Sequence, residues 1–169
     1  HPTGPFDDIQ ATYANYHGTL QDYVIGTPSA GPIADNWDNA AWKKFVADSP
    51  AEFSDGFPSP SLFAQGYYVE TLAMLTALDQ VKGDLSGGQK AFRDALTNLK
   101  LDTPTGPVTL DKNRNGIAYN FLTEVAKADD GHLYNKVVKV VENVNQTLGL
   151  PEDQFMALGP VGRDNPSCP

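Results

Sequence analysis

The sequence holds one cysteine, Cys168, next to last in 169 residues. A disulfide within the chain is therefore excluded, as is any metal cluster built on cysteine. Cations are also scarce: 12 Lys and Arg stand against 21 Asp and Glu, for a formal charge of −9. That balance argues against nucleic acid, since phosphate binding draws on clustered cations, and against a surface that clings to anionic lipid. No stretch approaches the ~18 consecutive apolar residues of a membrane span. Nor does the sequence open with a charged segment followed by an apolar one; it starts at His1, which predicts a processed or cut product whose leader is gone.

What remains is enough to build a core. Hydrophobic residues make up 40% and aromatics 10%, with 15 glycines and 13 prolines punctuating the chain. The length fits one ordinary domain or a large piece of a bigger one. Phe6, Ile9, Tyr13 and Tyr16 recur at helical spacing, with Gly18 as the stop. Tyr23, Val24 and Ile25 form a short β-prone run before the Gly/Pro-rich residues 26–32, which read as a loop or crossover. Asp38 is the expected N-cap of a helix carrying Ala41, Trp42, Phe45 and Val46, and residues 49–60 read as loop. Residues 61–82 form the strongest helical pattern, stopped by Gly83. Ser86 and Gln89 spell a capping box for a helix bearing Phe92, Ala95, Leu96 and Leu99.

Beyond residue 100 the period changes from about 3.6 to 2. Val108 and Leu110 precede a polar turn at residues 111–116, and Ile117, Tyr119 and Phe121 then alternate with smaller or polar residues, predicting a β-hairpin. Residues 137–141, Val-Val-Lys-Val-Val, suit a strand, with helix left open. The tail from Leu148 is rich in Gly and Pro and is expected to wrap a surface. Interleaved helices and strands make an α/β protein the expected class.

Several strings invite a chemical reading. Leu85-Ser86-Gly87-Gly88-Gln89 spells the signature of ABC-transporter ATPases, but no P-loop accompanies it, so a capped helix entry explains it better. Residues 111–116 match the first half of an EF-hand loop, yet the twelfth position, which needs a bidentate Glu, is Leu122. A hairpin turn accounts for the same residues. His1, His17 and His132 lack metal-type spacing; His17 suits a helix C-terminus. Thr27-Pro28-Ser29-Ala30-Gly31 misses the nucleophile-elbow pattern, and Asp7-Asp8 and Asp129-Asp130 read as solvated neighbours. Asn145-Gln146-Thr147 fits a glycosylation acceptor, a common pattern. No catalytic constellation, cofactor motif or metal set emerges, and an enzyme is not expected.

The order of segments is more telling. Gly66 and Tyr67 open a long helix that closes at Gly83, a second helix ends at Asp94-Ala95-Leu96, and Asp102-Thr103-Pro104-Thr105-Gly106-Pro107 precedes the hairpin. Residues 118–125 follow as a strand, and residues 159–168 close the chain as Gly-Pro-Val-Gly-Arg-Asp-Asn-Pro-Ser-Cys. This succession resembles the C-terminal part of type I solute-binding proteins of the branched-chain amino-acid (Leu/Ile/Val-binding) ABC transporter family, the tail being similar to those of its aromatic-acid and amide-binding branches. Residues 36–45 resemble the helix after that family's second interlobe crossing.

The resemblance implies the type I periplasmic-binding-protein fold, two α/β lobes joined by three crossovers with the ligand enclosed between them. It assigns residues 1–28 to the second lobe, 29–116 to the first, and 117–169 to the second lobe and tail, with crossovers near Pro28–Pro32 and Asn115–Ala118. It implies an extracytoplasmic, periplasmic receptor, free or lipid-anchored through a missing N-terminal portion, that delivers a small molecule to ABC permease subunits. Its ligand residues fall loosely on Thr3, Phe6 and Asp7 at a second-lobe strand end and on Leu62 and Phe63 at a first-lobe apolar wall. An acidic group, Asp7 or Asp8, would hold an ammonium; Phe6 in its place would favour an aromatic or apolar acid. The competing expectation is a ligand-sensing regulatory domain of the same fold, with a hydrolase a distant third.

Overall fold

In a computed structural model, residues 19–52 and 59–163 are described. The expected helix over residues 6–16 lies outside them. The first described element is α1, Thr19–Val24. It corrects the β-prone reading of Tyr23–Ile25: Val24 ends a helix and is buried, whereas Tyr23 is 61% exposed. Gly26, at φ +81°, then reverses the chain and donates its N–H to the Val125 carbonyl at 2.8 Å. The strand comes later, as β1 (Pro28–Gly31), inside the stretch expected to be loop. A ladder partner almost a hundred residues away decides it: Pro28 pairs with Glu124 and Gly31 with Phe121.

Helix α2 spans Ala40–Glu52. Its cap is Asn39, not Asp38, because the Asn39 Oδ1 accepts the N–H groups of Ala41 and Trp42 at 2.8 and 3.2 Å. Asp38 instead pairs with Lys43. The helix outruns its expected end at Ser49, its middle braced by the Lys44–Asp48 ion pair at 2.6 Å. Helix α3 spans Leu62–Gln80, inside the expected 61–82, and is capped by Ser61, whose Oγ accepts from the Ala64 N–H. At its end Lys82 already takes φ +52°, and the Gly83 N–H closes back on the Leu78 carbonyl at 2.9 Å.

The Ser86–Gln89 capping box does not form. Gly87, Gly88 and Gln89 all take positive φ, so Ser86 caps only a single 3₁₀ turn without a side-chain bond, and α4 (Lys90–Thr97) starts one residue after the box. The N–H of Ser86 is instead bound by Asp84 Oδ1.

The remaining strands are β2 (Leu101–Thr103), β3 (Gly106–Leu110), β4 (Gly116–Lys127) and β5 (Leu133–Val144). The predicted hairpin is present, with Thr109 opposite Ile117 and Leu110 opposite Gly116. Residues 137–141 resolve as strand, in register with β4 from Thr123 to Asn120. The long β4 is the spine: β5 runs along one edge, β1 and β3 take successive lengths beside it, and every described ladder is antiparallel. The free edge of β5 is shielded by side chains, since Asp35 Oδ2 accepts from the Asn135 N–H at 2.6 Å and Asn36 Oδ1 from the Val137 N–H at 2.8 Å.

The core sits on the inner face of this sheet. Val24, Val125 and Leu133 pack together with Ile25 against them, and Phe121, wholly buried, meets Trp37 edge-on at 5.2 Å. Thr27, Thr123 and Asn135 share that face within a rung or two of Val125, and their buried side-chain polar atoms find no protein partner. In the tail, a short α5 (Glu152–Ala157) meets the β3–β4 turn through the Lys112–Glu152 ion pair at 2.6 Å.

Candidate ligand-binding site

The Ser61 cap fixes where α3 begins, and so places Leu62 and Phe63 side by side in its first turn. Leu62 is half-buried; Phe63 is 69% exposed, an aromatic ring offered outward from the end of a capped helix. The other expected ligand residues, Thr3, Phe6 and Asp7, with Asp8, lie outside the described residues.

One turn beyond Phe63, Tyr67 enters a cleft of about 530 Å³ that the sequence reading missed. Its walls are Phe45 on α2, Tyr67 and Tyr68 on α3, and Thr103 and Pro104 at the β2–β3 turn. The Phe45 and Tyr68 rings lie 4.8 Å apart, and Phe45 leans on the buried Trp42 at 5.8 Å. Lys44, the one cation among the described residues lining the cleft, is engaged by Asp48, which holds the ammonium above its ordinary range through their hydrogen bond and charge. Among the described residues the cleft thus offers aromatic surface and no free positive group.

The Asp102–Pro107 motif ties this wall to α3. Gln65, buried in α3, donates through Nε2 to Thr105 Oγ1 at 2.9 Å. Thr103 Oγ1 donates to the Gly106 carbonyl at 2.6 Å and accepts the Thr105 N–H. Gly106 takes φ +113°, and a Cβ there would stand 2.7 Å from Cδ2 of Tyr119. The turn needs glycine for both reasons.

Other strings resolve into local structure. Asp111 Oδ1 accepts the N–H groups of Asn113 and Asn115 at 2.8 and 2.9 Å, and Oδ2 the Asn115 side chain at 3.2 Å. These bonds, the Asn115 N–H first, hold the Asp111 carboxyl below its ordinary value. Leu122, at the position of an EF-hand glutamate, lies in β4. Asp130 is likewise lowered by the His132 N–H in the β4–β5 turn. No group of three or more His, Cys, Asp or Glu among the described residues could hold a metal ion. No described helix is long and apolar enough to cross a membrane.

No profile of a known protein family matches the chain. A Leu/Ile/Val-binding protein homolog 6 from Brucella abortus is 29% identical over 130 residues, covering 73% of this chain and 31% of that protein. A solute-binding protein of an ABC transporter from Rhodopseudomonas palustris BisB5, solved with 3,4-dihydroxybenzoic acid, superposes with a TM-score of 0.69 at 26% identity over 84% of this chain and 37% of its own. An ABC transporter substrate-binding protein from Sphaerobacter thermophilus gives a TM-score of 0.67 at 21% identity, over 72% and 32%. The chain spans about a third of the length of the relatives it matches. It carries the fold of part of a type I periplasmic binding protein and is related in sequence to the Leu/Ile/Val-binding group of ABC-transporter solute-binding proteins.

Proposed function

We propose that the chain is the C-terminal part of an extracytoplasmic solute receptor that encloses a small molecule between two lobes and presents it to an ABC permease. The observation that carries this reading is the relation, in fold and at 26% identity, to a solute-binding protein crystallised with 3,4-dihydroxybenzoic acid. In this reading residues 29–116 belong to the first lobe, and residues 1–28 and 117–169 to the second. The proposed crossovers fall at β1 and at the start of β4; β1 pairs with residues 121–124 of the same strand β4, just beyond its start. Ligand binds the closed arrangement better and so shifts the open–closed equilibrium; no bond is made or broken.

Leu62 and Phe63 supply the apolar wall, and Thr3, Phe6 and Asp7 the second-lobe side. The exposed Phe63 ring favours an aromatic acid, while the sequence relation keeps leucine, isoleucine and valine as candidates. The test is a thermal-shift panel on the full-length polypeptide carrying this sequence, using benzoates, branched-chain amino acids and amides. A true ligand at a hundredfold excess over its Kd adds about 2.7 kcal/mol and raises Tm visibly. A panel in which no member of any class moves Tm overturns the reading.

A further inference from the structure

We infer that Asn115 is a deamidation site which the Asp111 carboxylate holds closed in the folded chain. Of all the asparagines in the sequence, Asn115 is the one followed by glycine. In such a pair no side chain crowds the nitrogen after the asparagine, and that nitrogen can attack the side-chain amide. Base takes the Gly116 N–H proton, the nitrogen bonds to Cγ of Asn115, the Cγ–Nδ2 bond breaks, and Nδ2 leaves with a proton as ammonia. Water then opens the five-membered imide at either carbonyl, giving an aspartyl or an isoaspartyl residue. Approach to this nitrogen is open, since Gly116 is exposed and a Cβ added to it meets nothing within 4 Å. Its N–H also points away from β3. The Asp111 N–H bonds to the Asn115 carbonyl, so the Leu110–Gly116 rung beyond is a non-hydrogen-bonded one. The β4–β5 pairing begins at Ala118, two residues further on.

The position of the amide is what keeps the reaction off. Asn115 is bound to Asp111 three times: its N–H to Oδ1 at 2.9 Å, its Nδ2 to Oδ2 at 3.2 Å, and its carbonyl to the Asp111 N–H at 2.9 Å. The amide is thereby held on the β3 side of the strand, while the nitrogen that would attack it faces the other way. The Asn113 N–H adds a bond of 2.8 Å to the same Oδ1, and the Lys112–Glu152 pair ties the turn to α5. Arg114, at φ +66°, sits in a left-handed setting that an L-residue keeps while such bonds hold it there. Conversion would remove the latch. With oxygen in place of Nδ2, two carboxylates face each other at hydrogen-bond distance. An isoaspartyl link adds a methylene to the backbone next to the first rung of β4. In either form the turn that protected Asn115 cannot close again as it was.

The test incubates the full-length polypeptide carrying this sequence at mildly alkaline pH, native and in urea. Liquid chromatography with fragmenting mass spectrometry places each one-dalton gain and separates the isoaspartyl peptide. Asn115 is expected to convert about tenfold or more slower in the native protein than in urea, where it outpaces every other asparagine and yields isoaspartate. Asp111→Asn keeps an acceptor for the two N–H groups but sets an amide against the Asn115 amide. Its native conversion at Asn115 should rise about tenfold over wild type, beyond what the unfolded fraction from its urea melt allows. Gly116→Ala, for which the site has room, should slow the urea rate several-fold. Native wild type converting at the urea rate overturns the proposal. So does an Asp111→Asn variant no faster than wild type or than its unfolded fraction, an unchanged urea rate in Gly116→Ala, or aspartate formed without isoaspartate. None of these readouts involves a solute, so the proposal stands or falls apart from the receptor reading.

Discussion

Replacing Gly106 with alanine strikes the segment that most distinguishes this chain. At φ +113° an L-residue is strained before any contact is considered. Left-handed backbone costs a non-glycine residue about 1–2 kcal/mol. The added Cβ also lands 2.7 Å from Tyr119 Cδ2 and 3.0 Å from two further ring atoms. The ring rises from β4, so relief requires the β2–β3 turn or the ring to move, and such overpacking costs about 1–3 kcal/mol. Movement of the turn would also pull Thr105 from Gln65, the buried bond that joins it to α3. The sum is about 2–5 kcal/mol, or roughly 5–15 °C in Tm for a chain of this size. Urea unfolding of Gly106→Ala, Tyr119→Ala and the double variant reads both parts. The double variant should lose less than the sum by about 1–3 kcal/mol, the steric share, with the backbone share retained. A Gly106→Ala cost under about 1 kcal/mol, or strict additivity, refutes this reasoning.

Phe121→Ala is expected to cost about 3–5 kcal/mol, because the ring is wholly buried against Trp37, whereas Leu122→Ala, one residue on and facing the other way, should cost well under half as much; equal losses in urea melts would contradict the register of β4. Thr123→Val removes a buried hydroxyl without a protein partner and should leave stability unchanged or raise it by up to about 1 kcal/mol, a loss of more than that implying an unrecognised bond. Asp111 titrates below the ordinary carboxylate value of 3.8 in the folded chain, so its contribution is present above that value and lost as pH falls through the lower, folded one. Between pH 4 and 2 the wild type should therefore lose more stability than Asp111→Asn, and parallel curves would count against the turn geometry.

Elements set by local chemistry were legible in advance. Ser61 begins α3 and the glycine after Lys82 helps end it; the Asp111 turn joins two strands because Asp111 Oδ1 accepts the Asn113 and Asn115 N–H groups, although the positive φ falls on Arg114 and not on an Asn or Gly. What escaped was decided at a distance or by competition between neighbours. Asn39 displaced Asp38 as a cap because Lys43 drew the aspartate away. Three successive positive φ values overrode the Ser86–Gln89 box. Pro28–Gly31 became strand only because β4 supplies a partner, and residues 137–141 lost their helical alternative the same way. The aromatic cleft was hidden because Phe45, Tyr67 and Tyr68 are periodic in their own helices, and periodicity does not say which face stays open. Of the residues expected to form the ligand wall, Leu62 and Phe63 fall in the first turn of α3.

The most direct measurement is a calorimetric titration of 3,4-dihydroxybenzoate, benzoate and leucine into the full-length protein and its Phe63→Ala variant. Loss of an aromatic contact of about 1.4 kcal/mol is tenfold in affinity. The account predicts one site per chain for at least one of these solutes and weakening of about tenfold or more in the variant. Absence of binding to every one of them, or equal affinity in the two proteins, would contradict it.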